Sequence, residues 1–350
     1  MAAGSEQAWK YPLVPLADVA RVKREKAPAG KEGSAYLARQ GDLCVYGINP
    51  GLAFICNQEV CALTRDYFTI TPAPGRVLPQ YLQVLFASGV LADQLALLAT
   101  GRKKKVLGLK GAKELLIPLP PRQEQERLVD RWQEAARREE EKTRLQEELD
   151  RLCASFFPAD PSCKGEVLPL GRAARAKGGI TFRQRQASEE GVPVYGSANI
   201  TGRYFKDRPL GYRPSAKRSA LLGEGEVLIC AAGEGSLGRA AVYPGGPGLV
   251  NRSVVRLLPD RSLVDPYYLA LYCNTDHFAA LAQAAARGTR TKYLSPRAVE
   301  KMPLVLPPLP EQERQSRDYR ERALHLARLE RTWEDPRTFA GRLVQEFLQR

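Results

Sequence analysis

The feature that most limits how this chain can fold is an internal repeat with a spacing of 187 residues. Four segments of the first half recur in the second half, in the same order and without a gap. The matched pairs are Pro120–Arg127 with Pro307–Arg314, Gly101–Leu107 with Gly288–Leu294, Pro79–Leu82 with Pro266–Leu269, and Arg65–Pro72 with Arg252–Pro259. Solenoid repeats are about 20–50 residues long, so this spacing is not of that kind. It predicts two domains of one kind, each followed by its own tail.

The two copies have unequal lengths. Near the front of each copy the spacing falls to 154 residues, where Pro15–Lys23 aligns with Pro169–Lys177. The first copy therefore lacks about 33 residues that the second copy has. These correspond roughly to Gly179–Arg218, a segment that we call the insertion. The sequence thus predicts a shortened first domain and a complete second one.

Each copy mixes short strands, turns and a helix. Glu226–Ala231 and Leu249–Leu257 have the composition of strands, and the glycines and prolines of Pro244–Gly248 indicate a turn between them. Pro79–Leu98 and Pro266–Ala286 are predicted to be helical. The fold class expected for each domain is α+β, with mixed α/β character.

Each domain is followed by a segment typical of a long helix. Residues 122–157 contain neither Gly nor Pro, and a helix of this length would extend about 50 Å. Its narrow apolar stripe consists of Leu128, Trp132, Ala135, Leu145, Leu149, Leu152 and Phe156. The second tail, Glu311–Trp333, has a similar stripe of Tyr319, Ala323, Leu326 and Trp333, and Thr338–Leu348 follows it.

Narrow stripes favour pairing of the two tails as an antiparallel coiled coil that separates the domains. The alternative is that each helix only covers its own domain. The expected divisions are a shortened first domain (1–121), a central helix (122–157), a second domain (158–306) and C-terminal helices (307–350).

The charge is concentrated in the two predicted domains. The chain has 53 Lys and Arg against 39 Asp and Glu, a net charge of +14. Residues 1–121 carry +6 and residues 168–300 carry +9, whereas the helical tails are close to neutral. Two separate basic domains point to a polyanion, with nucleic acid as the leading candidate. The sequence has no apolar run long enough for a membrane span and no signal-peptide pattern, so we expect a cytoplasmic location without membrane attachment.

The sequence contains no complete motif of the kinds that indicate an enzyme. Gly233–Gly238 fits the GxGxxG dinucleotide pattern, but Pro244–Gly248 follows too soon for the required helix. There is no phosphate-binding Walker A string, and His277 and His325 are expected on helix surfaces. Seven cysteines without a CxxC pair indicate neither a disulfide framework nor a zinc ribbon. We expect Cys44, Cys56 and Cys61 to be small core residues, and the chain itself to be non-catalytic.

Candidate DNA contacts occur in three places. Cations of the repeated glycine loop suit phosphates, and Arg and Asn side chains can also make paired contacts to base edges. The predicted contacts are Arg102, Lys103, Lys104, Lys105, Thr289, Arg290 and Lys292 in the loops, Arg252 at a strand start, and Tyr195, Asn199, Thr201 and Arg203 in the insertion. The alternatives are a solvated loop for the first group and a plain turn between strands for the insertion.

The complete pattern resembles the specificity (S) subunit of type I restriction–modification systems. In that family, two variable domains each end in a helix introduced by a Pro-Leu-Pro-Pro-x-x-Glu-Gln motif, seen here at Ile117–Arg127 and, in related form, at Leu306–Arg314. The second half also resembles a target-recognition domain of the family at Pro193–Gly202, Gly225–Ile229 and Gly288–Leu294.

The resemblance implies a role in DNA recognition. Each target-recognition domain would recognise one half of a bipartite site in double-stranded DNA. The paired helices would set the gap between the halves at roughly one to one and a half turns of DNA. They would also dock two methyltransferase (M) subunits, which the restriction–translocase (R) subunits join. These partners would use S-adenosylmethionine, ATP and Mg²⁺, and this chain would hold no cofactor. Because the first domain is shortened, the second is predicted to carry more of the specificity.

Two other functions remain open at this point. One is a single-chain DNA methyltransferase or nuclease with duplicated domains, which is disfavoured because a methyl-donor site and an Asp/Asn-Pro-Pro-Tyr motif are lacking. The other is a basic scaffold that binds nucleic acid without sequence preference. The salt dependence of binding to cognate and random DNA would distinguish this scaffold from a specificity subunit.

Overall fold

The computed structural model describes residues 9–27, 36–102, 104–156, 165–183, 187–233, 235–288 and 292–348. The chain divides into two compact units. The first comprises Met1–Glu139 and Trp333–Arg350, and the second comprises Glu140–Thr332. The division therefore passes through both tails rather than between a domain and its tail.

Between residues 9 and 121, the described part of the first unit contains three antiparallel sheets and four short α-helices. Its strands are β1 (Leu13–Pro15), β2 (Ala20–Lys23), β3 (Glu25–Lys26), β4 (Tyr36–Arg39), β5 (Leu43–Tyr46), β6 (Phe54–Ile55), β7 (Val60–Leu63), β8 (Tyr67–Pro72) and β9 (Leu116–Pro118). Its helices are α1 (Leu16–Val19), α2 (Pro79–Ala87), α3 (Ala92–Leu98) and α4 (Leu109–Glu114). The sheet orders are β2-β8-β5-β6, β3-β4-β7 and β1-β9. The long helix α5 (Arg122–Ser155) begins in this unit.

The second unit has a closely corresponding set of elements. Its strands are β10 (Glu166–Pro169), β11 (Ala174–Gly178), β12 (Val192–Tyr195), β13 (Gly211–Arg213), β14 (Val227–Cys230), β15 (Ala240–Val242), β16 (Leu249–Val250), β17 (Val254–Pro259) and β18 (Pro303–Leu306). Its helices are α6 (Pro266–Cys273), α7 (Asp276–Ala285), α8 (Pro296–Glu300) and α9 (Leu309–Thr332). The sheet orders are β11-β17-β14-β15, β13-β12-β16 and β10-β18.

The topology of the units agrees with the duplication. The four-stranded sheets have equivalent strand orders, and their outer strands β2 and β11 are the segments aligned by the 154-residue spacing. The three-stranded sheets differ, since all pairs in β3-β4-β7 are antiparallel whereas β12 and β16 are parallel. This difference falls where the insertion changes the sequence. The predicted α+β class with long tail helices is confirmed.

The cores are centred on the four-stranded sheets. Strand β14 is buried along its whole length. Its unbroken apolar run of Val, Leu, Ile and Cys is typical of a central strand that is covered on both faces. Helix α6 packs against β14, β15 and α9, and six of its eight residues are buried. Burial of these apolar side chains is the main term that stabilises the unit.

The tail helices have nearly the bounds that the sequence predicts. Two prolines immediately precede helix α5. Proline is common at the start of a helix because the amide hydrogen that it lacks would have no partner within the helix. In the second unit α5 runs antiparallel to α9, because Glu148 pairs with Arg322 (2.8 Å) whereas Glu141 pairs with His325 (3.3 Å). In the first unit, Leu128 of α5 shares a core with helix α10 (Pro336–Leu348).

A buried glutamine explains the repeated Glu-Gln motif. The Gln125 carbonyl accepts a hydrogen bond from the Leu78 amide (2.9 Å), and its side-chain NH₂ donates to the carbonyls of Arg76 and Pro120 (both 3.0 Å). Gln312, 187 residues later, makes the same three bonds, to the Asp265 amide and to the carbonyls of Leu263 and Pro307 (2.9, 2.9 and 2.7 Å). Both glutamines are fully buried. The motif therefore fastens the start of each long helix to the loop before α2 or α6.

The cysteine prediction is partly corrected. Cys44 and Cys56 are buried core residues as expected, but Cys56 also forms a disulfide with Cys61, with a Cα–Cα distance of 6.4 Å. Strands β6 and β7 bring the two residues together, which cysteine counting could not show. In the described part of the chain, no group of three or more His, Cys, Asp or Glu side chains is placed to hold a metal ion.

No single helix in the described ranges has the length and apolar character to cross a membrane, although α2 and α3, bent by 88° at the break between them, satisfy those two criteria when taken together.

Candidate nucleic-acid interface

Three segments of the first unit meet at one edge of its four-stranded sheet. The Gly47 amide, just after β5, donates to the carbonyl of Asp66 just before β8 (2.9 Å), and the Gly47 carbonyl accepts from the Leu107 amide (2.8 Å). A Cβ atom at residue 47 would lie 2.8 Å from the Leu107 carbonyl oxygen, so this contact needs glycine. Arg65 and the basic loop before Leu107 are therefore held beside each other.

The same arrangement recurs in the second unit. The Ala231 amide donates to the Ser253 carbonyl (2.7 Å), and the Ala231 carbonyl accepts from the Leu294 amide (2.8 Å). Ser253 and Leu294 are the 187-residue counterparts of Asp66 and Leu107. This edge therefore brings Arg252 close to Leu294, where the second basic loop ends.

Both basic loops are closed in the same way. The amide and carbonyl groups of Thr100 and Val106 bond to each other (3.0 and 2.8 Å), and those of Arg287 and Tyr293 do the same (3.0 and 2.8 Å). Gly101 and Gly288 follow the first residue of each closing pair, with φ of +125° and +131°. L-residues with side chains rarely adopt this backbone conformation. The repeated glycine is therefore a requirement of the loop shape.

The cations at these edges face solvent. Arg102, Lys104, Lys105, Arg252 and Lys292 are all exposed. Among the residues that the structure describes, no acidic group forms an ion pair with any of the five. Cations without acidic partners suit phosphate contacts, because phosphates then do not compete with an internal anion. Predicted residues Lys103, Thr289 and Arg290 lie outside the described residues.

The insertion residues predicted to contact bases are engaged inside the second unit. Asn199 is 2% exposed, accepts a hydrogen bond from the Gly196 amide (2.8 Å), and donates to the carbonyls of Lys206 (2.8 Å) and Arg208 (2.7 Å). Both of its N–H donors are thus used in holding a turn, and its oxygen already accepts one hydrogen bond. Because the side chain is also buried, it is not presented to a base edge in this conformation.

Tyr195 is buried in the same region. Its hydroxyl donates to Asp207 (2.7 Å), and its ring packs against Phe205 and Tyr243. Burial and the Asp207 carboxylate raise the pKa of the Tyr195 hydroxyl well above its ordinary value. The residue therefore stays a neutral hydrogen-bond donor within the core.

Thr201 and Arg203 also have partners within the unit. The Thr201 hydroxyl donates to the Tyr204 carbonyl (2.9 Å) and accepts from the amides of Arg203 and Tyr204. The Arg203 guanidinium makes two bonds to the Asp150 carboxylate on α5 (2.7 and 2.5 Å). In this structure both side chains are therefore engaged within the second unit, and their contact with bases stays a prediction.

Two exposed arginines belong with the candidate interface although the sequence prediction did not include them. Arg65 is the counterpart of Arg252, and the 187-residue spacing was sufficient to find it. Arg239 lies in the β14–β15 turn, whose Ala232 bridges to Tyr293 of the basic loop. The sequence carried no signal for Arg239, because its place depends on that bridge.

The motifs set aside in the sequence have ordinary structural roles. After Gly238 the chain enters β15 rather than a helix, so the GxGxxG segment forms a turn between strands. Asp265–Tyr268 lacks the second proline of the Asp/Asn-Pro-Pro-Tyr motif. Asp265 caps the start of α6, and its carboxylate accepts from the Tyr268 amide (2.8 Å). The GxGxxG segment lacks the helix that a dinucleotide site needs.

Comparison with known proteins gives a match in structure rather than in sequence. No protein-family model and no curated protein matches the chain. Its structure superposes on the S subunit of the type I restriction–modification system from M. genitalium with a TM-score of 0.71 and 14% sequence identity, over 100% of this chain and 98% of that one.

Two further solved structures are similar at lower TM-scores. One is from work on complex assembly and conformational transition of the type I R-M system (TM-score 0.45, 18% identity, 99% and 98% of the two chains). The other is the HsdS subunit from Thermoanaerobacter tengcongensis (TM-score 0.38, 19% identity, 99% and 98%). Because both of these TM-scores are below 0.5, the fold is assigned from the M. genitalium structure. The chain has the fold of a type I restriction–modification S subunit.

Proposed function

We propose that this chain is the DNA-recognition subunit of a type I restriction–modification complex. The observation that carries the proposal is the duplicated basic edge: each unit holds an exposed arginine, Arg65 or Arg252, beside a glycine-closed basic loop. Two equivalent cationic edges in one chain suit a bipartite site in double-stranded DNA. The S-subunit fold supports the same function.

The proposal assigns catalysis to partner subunits. Two methyltransferase subunits would dock on the tail helices, and restriction–translocase subunits would join them in the cytoplasm. S-adenosylmethionine, ATP and Mg²⁺ would be used by those partners. This chain would determine which DNA sequence is recognised.

Selection from random DNA tests the proposal. The full-length chain, alone and with its methyltransferase partner, is incubated with a duplex library, and bound sequences are recovered and sequenced. We expect two short specified blocks separated by a gap of constant length. Enrichment without any sequence preference would instead indicate the non-specific scaffold, and methylation or cleavage by the chain alone would indicate the single-chain enzyme.

A further inference from the structure

The insertion is attached to the long helices of the second unit. Tyr204 is 5% exposed and belongs to the same hydrophobic core as Leu149 of α5 and Tyr319 of α9. The next residue, Phe205, is buried in a second cluster with Tyr195. Residues 204 and 205 therefore connect the helix pair to the interior of the domain.

A bidentate ion pair joins the insertion to α5. Arg203 contacts both carboxylate oxygens of Asp150, and its pKa is raised above the ordinary arginine value by these hydrogen bonds. Paired Arg–carboxylate bonds fix both the position and the orientation of the two groups. This contact therefore restricts rotation of the domain on the helix as well as its distance.

A buried carboxylate joins the insertion to α9. Glu330 is 5% exposed, and its oxygens lie 2.9 Å from Lys206, 3.2 Å from Lys142 of α5 and 3.8 Å from Arg208. Burial alone would raise the pKa of Glu330, but Lys206 and Lys142 outweigh this effect and keep the pKa below its ordinary value. One carboxylate thus binds cations from both the insertion and α5.

The residues that the sequence assigned to base contact support this attachment. The Asn199 side chain bonds to the backbone carbonyls of Lys206 and Arg208, and Tyr195 bonds to Asp207 between them. These bonds hold the two cations where Glu330 can reach them. The first half of the chain lacks the insertion and therefore lacks this set of contacts.

We propose that the insertion is a positioning element, which fixes the second recognition domain on the α5–α9 pair and thereby sets the gap length that the protein accepts between its half-sites. The part concerning the gap rests on the proposed function; the part concerning attachment does not. Arg203, Lys206 and Arg208 act through the helices and not through DNA contact.

The first experiment measures attachment without DNA. Hydrogen–deuterium exchange is followed in the full-length chain and in the Arg203→Ala and Glu330→Gln variants. We expect faster exchange in residues 199–208 and, in the same variants, in residues 140–155 of α5. Faster exchange in the insertion alone, or no change, would overturn the attachment.

The second experiment measures gap selectivity. The two half-sites found by selection are kept constant, and the gap is varied by one to three base pairs in either direction. We expect Arg203→Ala to reduce the preference for the correct gap by roughly two- to fivefold, as loss of a partly exposed bidentate ion pair predicts, without altering base preference in either half-site. Exchange of the charges, Asp150→Arg with Arg203→Asp, should restore selectivity.

A matched control and the opposing outcomes complete the test. Arg314 of α9 forms an exposed ion pair with Glu311 that does not involve the insertion, so Arg314→Ala should leave gap selectivity unchanged. Unchanged selectivity in Arg203→Ala, or an equal loss in Arg314→Ala, would contradict the role in gap length. If the unmodified chain selects no bipartite site, the proposed function fails. The hydrogen–deuterium exchange measurement still tests whether the insertion is attached to the helices.

Discussion

The guanidinium of Arg256 and the carboxylate of Glu226 form an ion pair inside the second unit, with Nε–Oε2 and Nη2–Oε1 distances of 2.8 and 2.7 Å. The residues are 4% and 7% exposed. Nη1 and Nη2 of Arg256 also donate to the carbonyls of Ala220 and Leu221 (2.9 and 2.6 Å), just after the insertion. In the first half, Thr69 occupies the place of Arg256. The buried arginine and the insertion are therefore both present in the second half of the chain and both missing from the first.

Removing Arg256 should strongly destabilise the second unit. We expect Arg256→Met to lower the free energy of unfolding by about 3–5 kcal/mol, because Glu226 would remain as a buried, uncompensated charge. Urea denaturation measures this change. Arg252→Ala, an exposed arginine four residues earlier, is the control and should change stability by less than about 0.5 kcal/mol. Similar losses of unfolding free energy in both variants would contradict the stabilising role of the Arg256–Glu226 pair.

The buried Glu330 should make the stability of the second unit sensitive to acid. Its pKa in the folded chain lies below its ordinary value of 4.5, since Lys206 and Lys142 favour the charged form. The stabilisation is therefore complete above pH 4.5 and is lost as the pH falls through the lower, folded-state pKa. Thermal unfolding of the unmodified chain and of Glu330→Gln, measured from neutral to acidic pH, should show a stability difference that narrows with acid. A constant difference would argue against this pairing.

The two motif glutamines should contribute similarly to stability. Replacing either Gln125 or Gln312 by Ala removes the glutamine's partner from one part-buried backbone amide and from two carbonyls. We expect each change to reduce the free energy of unfolding by about 1–3 kcal/mol. Gln123, exposed two residues before Gln125, provides the control, and Gln123→Ala should have little effect. Thermal denaturation of the three variants would show whether the motif is structural, and equal melting temperatures would exclude this role.

Loss of loop cations should weaken DNA binding in a salt-dependent way. Each phosphate contact contributes a slope of about −0.9 to the dependence of log K on log salt concentration. Lys104→Ala with Lys105→Ala should therefore flatten the slope by roughly 2, and Arg252→Ala with Lys292→Ala should do the same for the other half-site. Fluorescence anisotropy at several salt concentrations measures the slopes. Arg137→Ala with Arg151→Ala, which removes the same charge from exposed positions on α5, should leave the slope unchanged.

The sequence alone was sufficient to predict the features that are local or repeated. The 187-residue spacing identified two domains of one kind, and the Gly- and Pro-free stretch located α5, which ends at Ser155 rather than residue 157. The equivalence of the two glycine loops also followed from the sequence, because loop closure depends on residues only six apart. In each case the determining interactions lie close together along the chain or occur twice in it.

The tertiary structure decided which polar residues are available to a ligand. Asn199 and Arg203 have the side chains of base contacts, yet Asn199 is enclosed by its own turn and Arg203 pairs with Asp150, 53 residues away. The assignment of α5 to two units likewise depends on which core each part of the helix meets. Composition and spacing show which groups can form hydrogen bonds and ion pairs. Their partners are chosen by packing, which brings together residues that are far apart in the sequence.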